Sequence, residues 1–100
     1  MEIRFKDRKQ EKDFQNTKKL TKKYGSKIAR KIMMRVNTIR YAKEIEDIPH
    51  TPPERRHSLS GDYENCFAVA LNKNYRLVFR VIENQNGENI AELLEVIDYH

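Results

Sequence analysis

The sequence predicts a two-layer α+β domain in which helices cover one face of an antiparallel sheet, in the order β-α-α-β-β-β. Three observations carry that expectation. Apolar residues recur every three or four positions through the first half, they alternate with polar ones through the second, and a proline-rich stretch, "DIPHTPPERRHS", separates the two regimes. A chain of 100 residues with 38% hydrophobic and 35% charged side chains suits one modest core, so residues 1–100 are expected to form a single domain.

"MEIRF" alternates Ile3 and Phe5 with polar residues and reads as a short opening strand. "KDRKQEKDFQNTKKLTKKYG" then sets Phe14, Leu20 and Tyr24 at helical spacing and ends on Gly25, a suitable C-cap. Ser26 can N-cap "KIARKIMMRVNTIRYAKEI", whose Ile28, Ile32, Met33, Val36, Ile39, Ala42 and Ile45 form one apolar stripe. The Met33/Met34 pair reads as packing, because methionine fills irregular gaps in a core. Lys27, Arg30, Lys31 and Arg35 occupy the opposite face. Pro49, Pro52 and Pro53 end the helix and open an exposed loop.

The second half has period two. Phe67, Val69 and Leu71 alternate, Asn72 to Asn74 make a hairpin turn, and Tyr75, Leu77, Phe79 and Val81 alternate after it. A polar turn, "ENQNGEN", precedes the closing strand "IAELLEVIDYH". Alternation puts Tyr75, Leu77, Phe79 and Val81 under the helices and sends Arg76 and Arg80 to the other face. There a guanidinium either snorkels over apolar neighbours or grips a phosphate with its planar fork. By the same counting Leu94, Val96, Asp98 and His100 share a face, so Asp98 and His100 can approach one ligand.

Several classes of protein are disfavoured. The longest apolar stretch, "FAVAL", is too short for a membrane span, and "MEIRFKDRKQ" lacks the apolar region of a signal peptide. The lone Cys66 has no CxxC partner, which argues against a disulfide or a structural zinc site and fits a cytoplasmic protein. Cys66 itself reads as a small buried residue at a strand start.

Charge separates the halves. Residues 1–50 hold 15 Lys/Arg against 7 Asp/Glu, and residues 51–100 hold 5 against 8. From Phe14 to Lys43 inclusive there are ten basic residues and no acidic one. Such a block can supply phosphate affinity through counterion release. A solvated lysine-rich helix surface, or a surface for an acidic protein partner, fits the same run.

The segment "RRHSLSGDYENCFAVALNKNYRLVFRV" and the terminal "DYH" resemble the RelE-like bacterial toxins, and within them the HigB branch. The matching positions are His57, Leu59, Gly61 and Asp62, then Asn74, Arg76, Leu77 and Phe79, then Asp98, Tyr99 and His100. The resemblance spans essentially the whole chain, and the order of these short motifs is more specific than any one of them. It implies a RelE-like fold and a type II toxin, an endoribonuclease that enters the ribosomal A site and cuts translated messenger RNA. It also implies a cognate antitoxin, often a helix-turn-helix protein. The branch commonly carries lysine where this chain has Ser60. Arg55, Arg56 or Arg80 would then have to supply the missing cation, or cleavage is slower or differently selective.

The chemistry fits without a metal or cofactor. Turning an RNA 2′-hydroxyl on its adjacent phosphate requires a base, a cationic donor for the crowded phosphorane and an acid for the leaving oxygen. His57, Asp98 and His100 are candidates for proton transfer, Arg76 for the cation, and Tyr99 for stacking on a base or donating its hydroxyl. Lys27, Arg30, Lys31, Arg35, Arg55, Arg56 and Arg80 are candidates for holding RNA or the ribosome. His50 matches nothing and reads as a bystander. Two other readings remain: a ParE-type toxin that acts on DNA gyrase, and a plain RNA-binding module that cuts nothing.

Overall fold

Asn16 divides what the spacing presents as one helix. Its side chain accepts a hydrogen bond from the Lys19 amide at 3.2 Å, which satisfies a helix start and splits the segment into α1 (Arg8–Phe14) and α2 (Thr17–Tyr24). Asp7 caps α1 in the same way through the Gln10 amide at 2.8 Å. Gly25 closes α2, donating its N–H to the Thr21 carbonyl at 2.8 Å, and at once opens α3 (Ser26–Tyr41). Its φ of 86° and ψ of 159° belong to a region that only glycine enters readily, so Gly25 itself occupies the N-cap position expected of Ser26. Ala42 turns extended and ends α3 before Ile45, which instead begins a short 3₁₀ turn, Ile45–Asp47.

The structure, a computed structural model, describes residues 1–98; Tyr99 and His100 lie outside the described residues. Five strands form one sheet in the order β1-β5-β4-β3-β2: β1 (Glu2–Phe5), β2 (His57–Ser58), β3 (Cys66–Ala70), β4 (Tyr75–Glu83) and β5 (Asn89–Asp98). The two-layer α+β expectation is borne out, with three helices and a mixed sheet. The mixed character comes from β1, which runs parallel to β5 with Ile3 opposite Ala91 and Phe5 opposite Leu93. A parallel pair needs a long connection; here the helices carry the chain from β1 to β2 at the far edge, and the antiparallel strands bring it back to β5. The end of the expected loop also pairs: His57 and Ser58 lie opposite Ala68 and Phe67.

The alternation on β4 places Leu77 and Phe79, both fully buried, against Leu20, Ile28, Ile32 and Ile39 of the helices. A smaller cluster lies on the opposite face, where Cys66, Ala68 and Val78 are covered by Leu59 and Tyr63 from the β2–β3 connection. Cys66 is the buried strand-start residue the sequence suggested. Two expectations for α3 fail. Met33 and Met34 are 42% and 45% exposed, so the buried stripe is narrower than the periodicity allows. Arg35 is 3% exposed, because it flanks Val36 at the edge of that stripe and its Nε donates to the Ala70 carbonyl at 2.7 Å.

One irregularity re-aims the end of β5. Val78 lies opposite Glu95 while Phe79 lies opposite Leu93, which leaves Leu94 as the extra residue of a β-bulge. Leu94 therefore joins the smaller cluster with Ile97, and Val96 joins the helix-side core. The expected common face of Leu94, Val96 and Asp98 breaks at Leu94. Simple alternation cannot count through an unpaired residue.

Candidate active site at the tip of the sheet

The β3–β4 turn and the end of β5 meet at one tip of the sheet, where Tyr75 lies opposite Asp98 and Arg76 lies opposite Ile97. The turn is built by Asn72, whose side-chain oxygen accepts the Asn74 and Tyr75 amides at 2.8 and 2.7 Å. Arg76 folds back over it. Its Nη1 donates to the carbonyls of Asn72, Lys73 and Tyr75 at 2.6, 3.2 and 3.0 Å. This arginine is held in one place by the turn, which is what a preoriented cation requires.

Tyr24 packs edge-on against Tyr75, with ring centroids 6.5 Å apart, and so brings the α2–α3 corner to the same tip. Lys23 lies over the Tyr24 ring at 5.4 Å, and Lys27 and Arg30 are exposed one turn into α3. Beyond the edge of β3, the Ala70 amide donates to the Glu54 carbonyl at 2.7 Å, which pins the proline-rich loop beside the tip and leaves Arg55 exposed there.

His57 opens β2 opposite Ala68 and leaves the sheet on the same face as Arg76. It is exposed, and its Nδ1 lies 3.3 Å from the Arg55 carbonyl. The tautomer that donates to that oxygen leaves Nε2 as an acceptor. Asp98 is exposed at the end of β5, but its register opposite Tyr75 puts it on the face opposite to Arg76. Arg76 and Asp98 thus share the tip without sharing a face. Tyr99 and His100 fall outside the described residues.

The remaining expected cations divide by their engagement. Arg56 Nε donates to the Ile48 carbonyl at 2.8 Å and ties the loop down, and Arg80 pairs with Glu92 at 3.4 Å. Of the three arginines offered in place of a lysine at Ser60, Arg55 is the one whose side chain is not engaged in this way. His50 is exposed in the loop. Among the described residues no group of His, Cys, Asp or Glu is arranged to hold a metal ion, and no helix is long and apolar enough to cross a membrane.

A model of the HigB-like toxins, described as the RelE-like toxin of the type II toxin–antitoxin system HigB, matches residues 3–100. The chain belongs to this family. No curated protein matches it. Among solved structures, the YoeB/ParE toxin from Agrobacterium tumefaciens superposes with a TM-score of 0.63 at 16% identity, covering 100% of both chains. The YoeB–YefM complex from Staphylococcus aureus gives 0.60 at 15% identity, and the YoeB dimer from the same organism 0.61 at 16%; each covers 100% of this chain and 97% of the other. These likenesses establish the fold.

This HigB-like toxin carries two further polar residues on the Arg76 face that sequence reading missed. The Tyr63 hydroxyl donates a short hydrogen bond to the Glu95 carboxylate. Glu95 lies in one row across the sheet with Val78, Ala68 and His57. Three strand spacings put the backbones of His57 and Glu95 about 14 Å apart, so they do not touch and frame opposite sides of the face. Once the bulge at Leu94 is counted, Glu95 falls on this face; strict alternation does not reveal the bulge.

Proposed function

We propose that this HigB-like toxin is a ribosome-dependent endoribonuclease that cuts translated messenger RNA by attack of a 2′-hydroxyl on its own phosphate. Two observations carry this reading: the turn-anchored Arg76 and the basic α2–α3 corner meet at one tip of the sheet, and the exposed His57 stands on the same face as Arg76, two strands over and two residues further along. Arg76 stabilises charge on the phosphorane. His57 moves a proton, and the terminal Asp98, Tyr99 and His100 complete the acid–base and stacking set. Lys27, Arg30 and Lys31 hold ribosomal or messenger phosphates. The protein acts in the cytoplasm, and a cognate antitoxin, a helix-turn-helix protein, neutralises it.

The test is messenger cleavage on translating ribosomes. His57→Ala and His100→Ala should each lower the rate by about 100- to 10,000-fold, the usual worth of a general acid or base. His57 is exposed, so its variant should melt like the parent. Near-parental cleavage by both variants, or inhibition of gyrase in a translation-free extract, would remove the ribonuclease reading.

A further inference from the structure

Between α3 and the loop holding Pro52 and Pro53, a groove of about 540 Å³ opens beside the tip. Lys31, Arg35, Arg55, Lys73 and Arg76 line it, and no acidic residue does. Its inner wall is unusual, because it holds an arginine, Arg35, that is 97% buried. Nε is spent on the Ala70 carbonyl at 2.7 Å, and no described residue accepts a hydrogen bond from its Nη groups. No buried side-chain nitrogen in the described residues lacks a partner, so those Nη groups reach solvent, through the opening that Arg35 lines. A guanidinium that meets water only through this opening, with no carboxylate paired to it among the described residues, favours an anion seated there.

We propose that this groove is a phosphate-binding subsite that seats one backbone phosphodiester of an RNA strand, with Arg35 as its buried anchor and Arg55 and Lys31 closing over it. The planar fork left by the Nε contact suits two phosphate oxygens. Arg76 borders both the groove and the tip, so a strand whose scissile phosphate lies at the tip places a neighbouring phosphate in the groove. The proposal rests on the ribonuclease reading for the identity of the strand, and on the groove alone for the anion.

The experiment separates the two. A 2′-O-methyl hexanucleotide, which cannot be cleaved, is titrated into the full chain at several salt concentrations, with inorganic phosphate and polyglutamate as competitors. Arg35→Met and the double variant Lys31→Ala/Arg55→Ala are compared with Arg4→Ala, an exposed arginine outside the groove paired with Glu2. Loss of the Arg35 fork should weaken binding by about 10- to 100-fold, the worth of charge-assisted hydrogen bonds. The slope of log affinity against log salt should fall by about 0.7 for one single-strand phosphate. Arg4→Ala should bind like the parent. If Arg35→Met does not melt cooperatively, the Lys31→Ala/Arg55→Ala double variant, neither of whose residues is buried, decides alone. Parental affinity and slope in the groove variants overturn the subsite while leaving cleavage at the tip intact. Binding lost in those variants, in a protein that cuts nothing on ribosomes, upholds the subsite and removes the ribonuclease reading. Direct binding of polyglutamate that the groove variants lose, with no oligonucleotide binding, assigns the groove to an acidic protein segment and overturns the RNA subsite.

Discussion

Arg76 has two tasks. It is the cation proposed for the phosphorane, and it also staples the β3–β4 turn through three carbonyls. Arg76→Ala should therefore lose cleavage and also stability, by about 1.5 to 3 kcal/mol for hydrogen bonds made by a charged group, seen as a lower Tm. His57→Ala should lose cleavage alone, so the pair of melts separates the two roles. A different residue carries pH sensitivity. Asp47 accepts the Glu44 and Lys43 amides at 3.0 and 3.1 Å, and these bonds hold its carboxyl below the usual range. A carboxylate with a depressed folded pKa contributes stability above its unfolded pKa and loses it as pH falls through the folded one. The Tm difference between the parent and Asp47→Ala should be present at neutral pH and shrink in acid, below the ordinary carboxylate range. A difference that does not change with pH would show that the cap acts without its charge.

Elements here are delimited by single residues. Gly25 joins α2 to α3 in a conformation closed to other residues, although a Cβ at that position would meet nothing within 4 Å. The cost of Gly25→Ala is therefore conformational, about 1 to 3 kcal/mol, and a thermal melt should show it with no change of fold. Since this corner carries Lys23, Lys27 and Arg30 toward Tyr75, the variant should also weaken ribosome binding. β5 shows the opposite case, in which a residue is added. The bulge at Leu94 keeps Val96 and Asp98 on the helix side while Glu95 and Ile97 face the Arg76 side. The carbonyl of the bulged Leu94 accepts the Gln10 side chain at 2.9 Å, which binds α1 to the sheet.

At the scale of the molecule, the charge asymmetry between the two halves becomes a spatial one. Helices rich in lysine pack on one face of a sheet whose strands β4 and β5 carry Glu83, Glu92, Glu95 and Asp98, half of the acidic residues of the second half. Neutralising Lys27, Arg30 and Lys31 together should lower the salt slope of ribosome binding by about 0.7 to 0.9 for each phosphate that the variant no longer neutralises. Binding is measured at several salt concentrations, and an unchanged slope would take α3 out of docking. Thermal stability should change little, because Lys27 and Arg30 are exposed and none of the three makes an ion pair among the described residues.

Local patterning was sufficient for the layers and for the sided strands. Period-two alternation on β4 separates Leu77 and Phe79 from Arg76 and Arg80 whatever lies above the sheet, because successive side chains must point opposite ways. Gly25 as a helix end and Cys66 as a buried strand start were legible for the same reason: backbone preference and side-chain size are properties of the residue. His57 and Arg76 were readable as candidates from residue type and motif, and the register puts them on one face. What local pattern could not carry was everything that depends on a partner distant in sequence. The parallel pairing of β1 with β5, the two-residue strand at His57, and the bulge that parts Asp98 from Arg76 are decided by registers between segments. Arg35 is the sharpest instance. On a helical wheel it belongs with Lys31 on a solvated face, yet the Ala70 carbonyl, 35 residues away, draws it inside. A wheel knows only the helix, whereas burial is set by what packs against it.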